Sequence, residues 1–83
     1  MTEVKGRVTV RKRSEAIWTI TLNGNIVAEF WIGDDVMVAM LLLSAQHLAD
    51  KLKIKTIDFE MSHEDIERVK RIGLPKSKLI RLN

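Results

Sequence analysis

Eighty-three residues make one domain, 1–83, and a chain this short buries only roughly 60–65% of its unfolded surface, so a partner surface is a natural supplement to its stability. The absence of cysteine excludes disulfides, thiolate nucleophiles and cysteine metal sites, while 46% hydrophobic and 30% charged residues describe a folded chain. The net charge of +3 leans weakly toward an anionic partner.

In chain order, Val4, Val8 and Val10 alternate with Lys5, Arg7, Thr9 and Arg11, the period of a half-buried strand, with Gly6 in the apolar register. A polar loop follows over residues 11–15. Trp18, Ile20 and Leu22 then alternate with Thr19 and Thr21, and Asn23-Gly24-Asn25 signals a turn. In the third strand Ile26, Ala28, Phe30 and Ile32 alternate with Val27, Glu29 and Trp31. The face pattern selects the turn. A two-residue loop would set Ile20 against Val27, whereas a three-residue loop sets Leu22 against Ile26, Ile20 against Ala28 and Trp18 against Phe30. The second places all the large residues on one face, with Asn25 in the left-handed position. The same logic pairs Val10 with Ala16 and Val8 with Trp18.

Gly33-Asp34-Asp35 ends the meander and opens a helix, with Asp34 or Asp35 as its N-cap and an end near Lys53. Residues 54–61 read as a fourth strand, with Ile57, Phe59 and Met61 on one face and Thr56, Asp58 and Glu60 on the other. Ser62 with Asp65 forms a capping box for a second helix, which Gly73, Leu74 and Pro75 terminate. Leu79, Ile80 and Leu82 offer a short last strand or a docking segment. The tail from Lys76 to Asn83 could contact phosphates or exchange between subunits. The expected architecture is α+β: β-β-β-α-β-α, with an optional final β, a three-stranded antiparallel meander joined by a parallel fourth strand, and helices on one face.

A three-stranded meander, helix, strand and helix over residues 4–72 resembles, in element order, the first part of the ribonuclease H fold. It also resembles the truncated version in HicB-type antitoxin domains, where a Gly-Asp/Thr step opens the helix much as Gly33-Asp34-Asp35 does. Ribonuclease H chemistry needs carboxylates converging from the first strand, the first helix and the end of the fourth strand. Here the first strand offers Lys5, Arg7 and Arg11, and the helix offers an apolar run where an acid is wanted. The resemblance therefore implies a fold and not the activity.

That apolar run is the main functional signal. Val36, Met37, Val38, Ala39, Met40, Leu41, Leu42 and Leu43 stand together in the long helix. A helix that is apolar all round needs cover all round. The expected cover is a second copy, with Val36, Met37, Met40, Leu41, Leu42 and Leu43 at an isologous dimer interface and His47 at its edge. The run is too short to cross a bilayer and is flanked by Asp34 and Asp35, and no leader-like apolar stretch follows Met1. A soluble cytoplasmic protein, without membrane association, is the expectation.

Two further groups carry chemistry. Lys5, Arg7, Arg11, Lys12 and Arg13 with Trp31 could hold nucleic acid, cations meeting phosphate while the indole stacks on a base. The same face, through Ile17, Val27 and Trp31, also suits a protein neighbour. Asp58 and Glu60 share a strand face, where the expected role is a solvated surface with cross-strand Lys or Arg partners. No phosphate loop, nucleophile elbow or metal-binding helix is present. No catalytic residue, metal or cofactor is therefore expected. The expected function is a small non-catalytic homodimeric binding or accessory module, the alternative being a nucleic-acid-binding dimer.

Overall fold

The alternating valines of the first segment form β1 (Val8–Lys12), which pairs antiparallel with β2 (Ile17–Leu22), itself antiparallel to β3 (Asn25–Trp31). Residues 6–73 and the backbone of 79–82 are described by a computed structural model; Lys5 and residues 74–78 lie outside the described residues. After β3 come α1 (Asp35–Lys51), β4 (Thr56–Glu60), α2 (His63–Ile72) and β5 (Leu79–Leu82). The strands form one five-stranded sheet in the order β3-β2-β1-β4-β5, with β4 parallel to both β1 and β5. The α+β class, the parallel fourth strand and the final strand agree with the sequence reading, and the ribonuclease-H-like order holds as an analogy of element order. No helix among the described residues is long and apolar enough to cross a membrane.

Both hairpins depart from the expected pairing. Across the first, Val10 lies opposite Ile20 and Val8 opposite Leu22, not opposite Ala16 and Trp18. The difference is four residues. An even slip keeps every side chain on its own face, so alternation alone does not separate the two registers. The observed one carries the ladder to Lys12 opposite Trp18 and closes the loop through Arg13 N–H and Ser14 N–H, which both donate to the Ile17 carbonyl at 2.8 and 3.1 Å.

In the second hairpin the turn is the two-residue Asn23-Gly24, both with left-handed backbones (φ 54° and 87°), flanked by Leu22 opposite Asn25. The expected pairs Trp18 with Phe30 and Ile20 with Ala28 nevertheless form, because the register shifts between Ile20 and Thr21. Thr21 lies opposite Ile26, so Val27 is the extra residue of a β-bulge. Asn23 ties the turn to β1: its Oδ1 accepts from Arg7 N–H at 2.8 Å, and its own N–H donates to the Arg7 carbonyl at 2.9 Å.

Alternation places Val8, Val10, Trp18, Ile20, Ile57 and Phe59 on one sheet face, all buried. Helix α1 covers them with Val38, Leu41, Leu42, Ala45 and Ala49, and α2 adds Ile66 and Val69. Asp34 is the N-cap of α1, its side chain accepting from Met37 N–H at 3.2 Å. Helix α1 ends in a Schellman arrangement: Ile54 N–H reaches the Ala49 carbonyl and Lys53 N–H the Asp50 carbonyl. Lys53 takes the left-handed position at φ 59°, where glycine is usual, so α1 stops at Lys51. Ser62 caps α2 as its capping box requires, accepting from Asp65 N–H at 3.3 Å.

Candidate interaction surfaces

At 100° per residue, the buried positions of α1 define one side of the helix, and Val36, Met40, Leu43 and His47 fall on the side directly opposite. Val36 is 64% exposed, Met40 50% and Leu43 66%; His47 is exposed and Met37 half-buried at the flank. The stripe points away from the sheet. Leu41 and Leu42 are a correction to the expected interface. Both are buried against their own sheet, where they fill the space above Trp18, Ile20 and their neighbours, and they offer nothing to a second copy. The apolar run divides accordingly: Val38, Leu41 and Leu42 turn inward, while Val36, Met40 and Leu43 turn outward.

Among the described residues no helix covers the opposite sheet face. Across it, short side chains from the central strands lie low: Thr9, Thr19 and Thr21 are buried, and Thr19 Oγ1 donates to the Arg11 carbonyl at 3.2 Å. The basic residues of this face meet carboxylates from other strands of the sheet. Arg7 Nε lies 3.3 Å from Asp58, Arg11 Nη2 lies 2.6 Å from Glu60, and Arg13 pairs with Glu29. Asp58 is 3% exposed, a correction to its expected place on a solvated surface. The cross-strand arginine partners are as expected. Among the described residues no three His, Cys, Asp or Glu side chains gather as a metal cluster.

Lys12 departs from the other cations. It is on the helix-covered face, opposite Trp18, and its Nζ reaches Asp65 in the first turn of α2 at 3.1 Å and Glu15 at 3.4 Å. The hydrogen bond with Asp65 raises its pKa, against a desolvation that lowers it. Arg68 is a link that sequence reasoning did not single out. Its Nε bonds Asp35 at 2.8 Å and its guanidinium stands 6.0 Å from the centre of the Trp18 ring, joining α2, α1 and the sheet. Its i, i+3 and i, i+4 neighbours give no hint of partners so far away in the chain.

Trp31 is 69% exposed at the end of β3, with Ile26 and Val27 half-exposed along the same strand. Among the described residues β3 is an edge strand, so these side chains flank a backbone paired there on one side only. No known family matches this chain, nor does any curated protein or any solved structure.

Proposed function

We propose that this chain is a small non-catalytic binding module that works as a dimer joined through the outer side of α1. What supports this is the stripe Val36, Met40, Leu43 and His47. Its successive spacings are four, three and four residues, so it reads the same from either end. Turned about a two-fold axis, an antiparallel copy of α1 sets Met40 against Leu43 and Val36 against His47. The helix ends also complement each other. Asp34 and Asp35 stand at one end and Lys51 at the other, and antiparallel helix dipoles oppose favourably.

Burying an apolar side chain contributes about 1.5–3 kcal/mol, so the half to two-thirds still exposed here is worth ~1–2 kcal/mol for each residue. Three residues from each copy give ~6–12 kcal/mol before an association cost of ~4–15 kcal/mol. The dimer is accordingly of micromolar strength or weaker. Light scattering over a concentration series tests this: mass rising from one subunit to two supports it, and a lone subunit up to the solubility limit overturns it. A nucleic-acid-binding dimer is less favoured, since Arg7, Arg11, Lys12 and Arg13 each sit beside a carboxylate that weakens the field offered to a phosphate.

A further inference from the structure

Resting on the reading of the chain as a binding module, we propose that the free edge of β3 takes an extended segment of a partner protein as an added strand, one that carries a basic and an apolar side chain two residues apart. Ile32 N–H donates to the Ala16 carbonyl at 2.7 Å. Hydrogen-bonded and non-bonded pairs alternate along an antiparallel ladder, so Phe30 and Ala28 spend their backbone groups on β2. The amides and carbonyls of Glu29 and Trp31 therefore point out of the sheet. Their side chains, like Thr19 and Ile17 opposite them, lie on the helix-free face.

An incoming strand hydrogen-bonded there places its own side chains on that same face beside Glu29 and Trp31. The indole, 69% exposed, offers an apolar neighbour. Glu29 offers a carboxylate whose Oε2 is engaged by Arg13, so a lysine or arginine of the partner shares it with Arg13 and gains only the modest worth of an exposed pair. The edge carries neither proline nor lysine along Asn25–Trp31, the residues that natural edges use to refuse a neighbour. Only the bulge at Val27 interrupts it, which confines pairing to the Glu29–Trp31 half. The stripe on α1 points away from the sheet and shares no residue with this edge.

The probe is a fluorescein-labelled peptide, Thr-Val-Thr-Lys-Thr-Val-Thr with blocked ends, titrated with the full chain and followed by anisotropy. Methylating the alternate amides that face β3 abolishes binding, while methylating the other set leaves it; equal tolerance or equal loss overturns strand addition, as does absence of binding. Replacing the peptide lysine by glutamate weakens binding about two- to fivefold, the effect of an exposed ion pair, and E29K reverses that preference. An unchanged preference in E29K overturns the basic partner. The L43E chain, altered only on α1, binds the peptide as the unaltered chain does, so failure of the dimer and failure of this proposal are told apart. If L43E still self-associates and W31K abolishes that association, the occupant is a second copy and the proposal falls.

Discussion

Leu43→Glu separates the two roles of α1. Leu43 is 66% exposed within the subunit, so its removal takes little from the fold. At a two-fold interface the change is felt twice. Each copy forfeits ~1–2 kcal/mol of burial, ~2–4 kcal/mol for the pair, and at 1.4 kcal/mol for each factor of ten this weakens the dimer about 30- to 700-fold. A carboxylate pressed against Met40 of the other copy adds to the loss. Sedimentation equilibrium reads the affinity and urea unfolding of the dilute monomer reads the fold. The expected result is a monomeric chain with an unchanged unfolding midpoint. Leu42→Ala, one residue away but buried, gives the converse: about 2–5 kcal/mol less stability from the cavity it leaves. An L43E chain that remains as dimeric as the unaltered one refutes the assignment of the outer stripe.

Lys53→Gly relieves a left-handed backbone at the end of α1 and should raise stability by ~0.5–1 kcal/mol in a denaturant titration; a loss would mean that the lysine side chain contributes more than its backbone costs. Asn23→Ala removes both the acceptor for Arg7 N–H and a residue tolerant of φ 54°, with an expected loss of ~1–2 kcal/mol by the same measurement. The raised pKa of Lys12 gives stability that is complete below the ordinary lysine range and is lost as pH rises through the folded value. Lys12→Met should therefore flatten the alkaline end of a stability-against-pH curve, and an unaltered slope would count against the Asp65 contact. With a single-stranded oligonucleotide in low salt, tryptophan fluorescence should stay unchanged; quenching that disappears steeply with added salt would favour the nucleic-acid reading instead.

Alternation and capping made most of the architecture readable. Val8, Val10, Trp18, Ile20, Ile57 and Phe59 share a face because each strand has a period of two, and Asp34 and Ser62 mark the helix starts by chemistry local to the chain. What stayed hidden depends on geometry that alternation does not encode. A four-residue slip of β1 on β2 preserves both faces, and the bulge at Val27 lets the shortest turn coexist with the pairing of Trp18 and Phe30. The run of apolar residues in α1 announced an outward surface without saying which members form it, since the answer depends on where the sheet lies. The arginine–carboxylate pairs bring together residues as much as 51 positions apart, Arg7 with Asp58 for instance, and no local pattern announces them.

The extra residue in β3 has a consequence for how the protein behaves among copies of itself. With Val27 deleted, Asn25 would still face Leu22 and Ala28 would still face Ile20, so the hairpin would close unkinked. The chain would then offer an even rim along its whole length, the template on which sheets grow into fibrils. One extra valine thus breaks the evenness of the rim on which endless stacking would depend.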